Sequence, residues 1–232
     1  MKTSSTKKTK SKTSRKRKKI LLAIVAILIV LLGWIGFDLF IPRQTKMREF
    51  DANEVARLET EMWRSYYTRK RLGLFLELGQ ALRTQYKMPF WKSNYAAFEA
   101  AKAAFVFKDG KTRADYEKAL PNLIKFYQSV RSMSDIDFDV ESAARLELEW
   151  WIIHREREKQ PAGALERSLA DLQSELYRVP PDALKEHAKY RAEAMRIRDT
   201  KAESGGVTEE DWKKIEELLK LSWQSLHKAV NP

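Results

Sequence analysis

The sequence predicts an all-α protein: a single N-terminal transmembrane helix, then a helical domain made of two tandem, internally duplicated helical-bundle repeats. Three observations predict it. A long apolar run follows a basic N-terminus. Beyond it no window shows the period-two alternation of strands, while helical periodicity and N-capping residues recur. The chain also says nearly the same thing twice, "ARLETEMW" from Ala56 and "ARLELEWW" from Ala144.

The first element is a basic tail, residues 1–19. It holds ten Lys or Arg and no acid, and so supplies nearly all of the formal net charge of +12. With the tail set aside, the footprint expected of a nucleic-acid binder is gone, and no nucleic-acid partner is expected.

Residues 20–41, "ILLAIVAILIVLLGWIGFDLFI", form the second element, with Asp38 as their one charge. At about 1.5 Å of rise per residue, a helix of this length crosses a hydrocarbon layer of roughly 30 Å. Trp34 and Phe37 fall toward one interface, where amphipathic aromatics favour the headgroup level. The bases before the span outnumber Arg43, Lys46 and Arg48 after it, which keeps the N-terminus in the cytoplasm and sends residues 43–232 outward. A cleaved signal peptide is the competing reading, but the stretch "GFDLFIP" offers no small-x-small cleavage pair. The chain has no Cys for a lipid anchor and no N-x-S/T acceptor, so the expected location is the bacterial inner membrane, single-pass, with the C-terminal domain in the periplasm.

After a linker at 42–49, repeat 1 occupies 50–133. A second linker, 134–137, leads to repeat 2 at 138–230. Laid over itself at an offset of 88, "FDANEVARLETEMWRSYYTR" from Phe50 matches "FDVESAARLELEWWIIHRER" from Phe138 without a gap. At an offset of 96, "TRADYEKALPNLIKFYQS" from Thr112 matches "TEEDWKKIEELLKLSWQS" from Thr208. Between these blocks "YKMPF" faces "YRVPP". The spacing is too long for a tetratricopeptide unit, and that pattern is missing.

Each repeat reads as three or four helices. A first helix runs from Asp51, placed as N-cap, to about Arg71, and its counterpart from Asp139 to about Lys159. Gly73 and Gln160–Gly163 mark breaks before second helices ending near Lys87 and Arg178. The proline turns start third helices ending near Lys108 and Arg198. Thr112 and Thr208, each with Asp three residues later, cap the last helices. The repeats differ in charge: 50–133 hold 15 basic and 9 acidic residues, whereas 138–230 hold 16 and 19. Anionic lipid would attract the basic repeat; an ordinary solvated surface would carry the same charges.

Stepping about 100° per residue along the first helices, Val55, Leu58, Met62 and Ser65 form an inward stripe, mirrored by Ala143, Leu146, Trp150 and Ile153. Beside it run Glu59, Trp63 and Tyr66, mirrored by Glu147, Trp151 and His154. These six are the candidate groove. Two carboxylates there would bind a cation or basic peptide; the plainer alternative is that the Trp rings pack as core and each Glu meets an Arg. A pseudo-twofold pairing of the two first helices would bring Glu59 near Glu147, with Arg57, Arg145 or a cation between them. Lys185, Lys189, Arg191, Arg196 and Arg198 read as a solvated face.

No metal site is expected, because the Glu-x-x-His spacing of carboxylate bundles is missing. Nor is a cofactor or a familiar catalytic plan: there is no Gly-rich phosphate loop and no G-x-S-x-G. The expected function is a membrane-anchored, extracytoplasmic binding or scaffold protein with an envelope protein partner. The alternative is an enzyme, or an accessory subunit of one, that uses the groove.

Overall fold

The computed structural model describes residues 7–41 and 43–232. Met1–Thr6 of the basic tail, and Pro42, lie outside the described residues. The chain divides into two compact units, 1–41 and 42–232.

The first unit is one helix, α1 (Lys7–Phe40). Its stretch from Arg15 to Phe40 is long and apolar enough to cross a membrane, by length and composition alone. The side chains of Ile20, Leu21, Leu22, Ile27 and Ile29 are exposed.

The second unit is helical; among the described residues it holds no strand, only an isolated bridge between Thr45 and Ser134. Its helices are α2 (Ala52–Tyr67), α3 (Arg71–Tyr86), α4 (Phe90–Asp109), α5 (Arg113–Glu117), α6 (Leu120–Arg131), α7 (Val140–Arg155), α8 (Ala164–Tyr177), α9 (Lys185–Glu203) and α10 (Glu209–Val230). Successive long helices pack on one another, and α10 returns to pack on α2, so the chain closes a ring. Short α5 bridges α4 and α7.

Local chemistry sets the boundaries. The Asp51 carboxylate accepts from the amides of Asn53 and Glu54, and Asp139 accepts from that of Ser142, supplying partners to amides that a helix start leaves unpaired. Thr112 with Asp115, and Thr208 with Asp211, form complete capping boxes at α5 and α10. Lys87 and Arg178 end α3 and α8 in the left-handed region, each at φ 53°, and prolines follow.

Four expectations are corrected. The first helix stops at Tyr67, and the reversal falls at Thr68–Lys70, where Arg69 has φ 60°. Gly73 lies inside α3 for a packing reason: a Cβ there would stand 3.0 Å from Ser65 Oγ on α2. The counterpart helix likewise ends at Arg155, followed by a single 3-10 turn at Arg157–Lys159. Lastly, α2 and α7 are not packing neighbours: α2 packs on α3 and α10, and α7 on α6 and α8.

Small residues let the ring close tightly. Ala56, Ala96, Ala97, Ala103, Ala143, Ala144, Ala192 and Ala194 are all fully buried, which allows helix axes to approach closely. Larger side chains (Leu58, Leu123, Leu176, Leu184, Ile215, Leu219 and Leu226) fill the remaining core. The segment before α2 is built into the domain. Met47 is 1% exposed, the Thr45 amide donates to Met133 O (2.8 Å), and the Met47 amide donates to Asp135 Oδ1 (3.0 Å).

Candidate functional site

The helix ring surrounds a cavity of about 490 Å³, and all six groove residues line it: Glu59, Trp63 and Tyr66 from α2, and Glu147, Trp151 and His154 from α7. Their i, i+4, i+7 spacing puts three side chains on one face of each helix. The two helices thus meet across a space rather than against each other. Leu74, Leu78, Ala101, Ala104, Leu172 and Met195 supply much of the apolar wall.

Glu59 is 3% exposed and ionically paired. Arg191 Nη1 on α9 donates to its Oε2 at 2.7 Å, Arg191 Nη2 lies 2.5 Å from its Oε1, and Trp223 Nε1 on α10 donates to Oε2 at 2.6 Å. The guanidinium of Arg191 also stands 5.9 Å from the ring centres of both Trp63 and Trp150.

Glu147 has a different shell. It accepts from Tyr127 Oη on α6 (2.8 Å, at Oε2) and from Trp151 Nε1 (2.9 Å, at Oε1). Burial pushes its carboxyl above the usual carboxylate range, opposed by the hydrogen bonds from Tyr127, Trp150 and Trp151 and by the Arg191 charge. The side chain is half-buried because it faces the cavity. Burial likewise pushes the Tyr86 and Tyr127 hydroxyls well up.

The two carboxyls therefore sit in related cages. Each accepts from an aromatic on the last helix of the other half: Trp223 for Glu59, Tyr127 for Glu147. Each of those aromatics meets a phenylalanine edge to face: Phe50 with Trp223 at 5.7 Å and 82°, Phe138 with Tyr127 at 6.3 Å and 84°. One cage holds an arginine; the other leaves its acid among neutral donors.

A second polar group closes another part of the wall. His154 Nε2 lies 2.8 Å from Asp199 Oδ2, Arg198 bonds the other carboxylate oxygen, and Arg157 stands 3.6 Å away. Burial works to raise the Asp199 carboxyl, but hydrogen bonds and charge from His154 and Arg198 outweigh it and hold it low. Arg198 stacks 3.2 Å over the Tyr67 ring. Arg155 stacks 4.1 Å over Phe107 and donates to the carbonyls of Phe107 and Gly110. Among the described residues, no group of three or more His, Cys, Asp and Glu is placed to hold a metal ion.

The cation beside the carboxyls is neither of those expected. Arg57 pairs with Glu54 and Glu61 (2.7 and 2.6 Å), and Arg145 is exposed. Arg191 does the work, although its sequence neighbourhood reads as a solvated face. That reading holds for Lys185, Lys189 and Arg196, which are exposed, and fails for Arg191 and Arg198. The missed signal is the spacing of Ala188, Arg191, Met195 and Arg198. At i, i+3, i+7 and i+10 the two arginines share a stripe with buried Ala188 and Met195. Tyr127 and Trp223 stand at matching places in the two aligned stretches from Thr112 and Thr208, but nothing in the sequence marks them as partners of the glutamates.

Compared with family models, with curated proteins and with solved structures, the chain finds no match in any of the three.

Proposed function

We propose that this chain is a single-pass inner-membrane protein whose periplasmic domain binds a small, largely apolar or aromatic ligand inside its helix ring. The observation that carries the reading is the cavity itself. Its volume of about 490 Å³ suits a small molecule, and aromatic and aliphatic walls with a few convergent polar groups are the usual make-up of such sites. The buried Glu59–Arg191 pair and the Glu147 carboxyl give the ligand polar groups to orient against.

The domain is two copies of one helical unit, facing each other across the ligand. The paired caps at Asp51 and Asp139, the paired capping boxes and the exchanged aromatic donors support this reading. The basic tail and the apolar length of α1 support the anchor and its orientation. An envelope protein partner, the scaffold role, then acts through the outer surface.

The test uses the full chain in detergent-free nanodiscs and the dye 1-anilinonaphthalene-8-sulfonate, excited by energy transfer from the cavity tryptophans. Wild type should take up dye saturably. Ala104→Trp, which fills the cavity from its wall, should not, while still melting cooperatively. Equal uptake by both would reject the cavity as the binding site. Orientation is tested separately: protease added to spheroplasts should digest residues 43–232, and full protection there would reject the topology.

One observation favours a second reading, acid–base chemistry in the same cavity. Glu147 is a carboxyl raised by burial within a cleft, the usual condition of a catalytic acid.

A further inference from the structure

The outer faces of α3 and α4 differ from the rest of the domain surface. Leu72 and Leu76 on α3 are 71% and 55% exposed, and Tyr95 and Phe98 on α4 are 42% and 54% exposed. The cavity lining identifies these as outer faces. Leu74, Leu78, Ala81 and Gln85 of α3, and Ala100, Ala101, Ala104 and Phe107 of α4, point inward. At about 100° per residue, Leu72, Leu76, Tyr95 and Phe98 lie on the opposite sides. The two helices pack side by side, so these residues form one apolar patch.

The charge around the patch has one sign. Between Arg69 and Lys108 the only acids are Glu77 and Glu99. Glu99 is buried, accepting from Asn122 Nδ2 at 2.6 Å, and Glu77 is part-buried, accepting from Ser65 Oγ at 2.9 Å. From Arg69 to Lys102 the exposed charges are Arg69, Lys70, Arg71, Lys87 and Lys102, all positive, whereas at the far end of α4 Lys108 lies 5.7 Å over the cavity residue Tyr66, beside the exposed Asp109. Arg71 lies 5.2 Å over the Phe105 ring and Arg83 5.7 Å over that of Phe90, with apolar stem and ring together and charge at the edge.

The other half of the ring supplies an internal control. Counted from Tyr86 and Tyr177, the last residues of α3 and α8, the positions matching Leu76, Tyr95, Phe98 and Phe105 are Arg167, Glu186, Lys189 and Arg196. All four are exposed, and their charges are mixed. This helix arrangement does not require an apolar outer face; one half has it and the other does not.

We infer that the α3–α4 face docks on the anionic headgroup surface of the bilayer that anchors α1, with Leu72, Leu76, Tyr95 and Phe98 entering the interface and the surrounding Lys and Arg meeting lipid phosphates. Exposed apolar residues ringed by bases are what a headgroup surface selects, since apolar burial and charge attraction then add. The inference rests on α1 being a membrane anchor.

The chain has no cysteine, so Phe98→Cys and Lys189→Cys each give a single thiol for an NBD dye. The labelled full chains are reconstituted in phosphatidylcholine nanodiscs with and without phosphatidylglycerol. With phosphatidylglycerol, dye at position 98 should shift to the blue and be quenched by headgroup-level spin-labelled lipid; dye at 189 should do neither. Each base near an anionic surface contributes about fivefold, so Arg71→Glu with Lys102→Glu should lower the docked-to-free ratio by roughly 25-fold or more. Leu76→Arg, which copies the charge at 167, should also weaken docking without touching the core. High salt should release the face. An aqueous signal at 98 in the anionic discs would overturn the inference. So would protection that ignores lipid charge and grows with protein concentration, which would mark a second copy as the occupant. Failure of the anchor itself is read separately, as loss of the chain from proteoliposomes on alkaline washing.

Discussion

Replacing Arg191 by methionine tests the central ion pair. The Glu59 side chain is 4% exposed and that of Arg191 14%, so solvent screens the pair little. Removing the guanidinium leaves the carboxylate accepting from Trp223 Nε1. Breaking a buried pair from one side costs about 3–5 kcal/mol, because the surviving charge keeps its desolvation penalty. Methionine retains the apolar stem between Trp63 and Trp150, so little of that loss is packing. For a domain of this size each kcal/mol moves the midpoint by about 2–4 °C, giving a drop of roughly 6–20 °C. The double variant Arg191→Met with Glu59→Gln removes both charges and should recover most of the loss. Urea and thermal unfolding of the four proteins of this cycle, followed by circular dichroism, measure it. An Arg191→Met variant within about 0.5 kcal/mol of wild type, or a double variant equal to the sum of the singles, would refute the argument.

Two further outcomes follow from the same geometry. Burial raises the Glu147 carboxyl above its unfolded-state value, so its contribution to stability is fully present below the unfolded value and is lost as pH rises through the raised folded value. Glu147→Gln stays neutral and should gain on wild type as pH climbs across that window; a urea-midpoint difference independent of pH would contradict the assignment. At the start of α10, Thr208 Oγ1 accepts from the Asp211 amide at 3.2 Å, and Thr208→Ala should cost about 1 kcal/mol. No measurable shift in unfolding midpoint would show that the cap contributes nothing.

Legibility in the sequence followed how local each feature is. Asp51, Asp139 and Thr208 act within one turn and cap the helices their spacing predicts, whereas Thr112 caps only the short α5 and the last helix of repeat 1 restarts as α6, with Pro121 in its first turn. Each trio of groove residues lies on one face of its helix because the spacing fixes that face, which is again a local property. Gly73 reads as a break in the sequence because the close approach of Ser65, eight residues earlier but on another helix, leaves no sequence mark of its own. Arg191 was misread because charge density along α9 suggested water, whereas its stripe with Ala188 and Met195 pointed inward.

The sequence by itself determined the helical class, an N-terminal helix of membrane-crossing length and the faces that Glu59 and Glu147 occupy, since all three depend on composition and on periods of a few residues. Only the tertiary structure decided that α10 packs on α2 to close a ring, that α2 and α7 stand apart across a cavity, and that Arg191 rather than Arg57 or Arg145 meets Glu59. The physical reason is that ring closure and partner choice arise from contacts between residues far apart in the chain: Glu59 meets Arg191 and Trp223, and Glu147 meets Tyr127. Helical periodicity gives the direction a side chain points; which partner waits there depends on how the other helices pack.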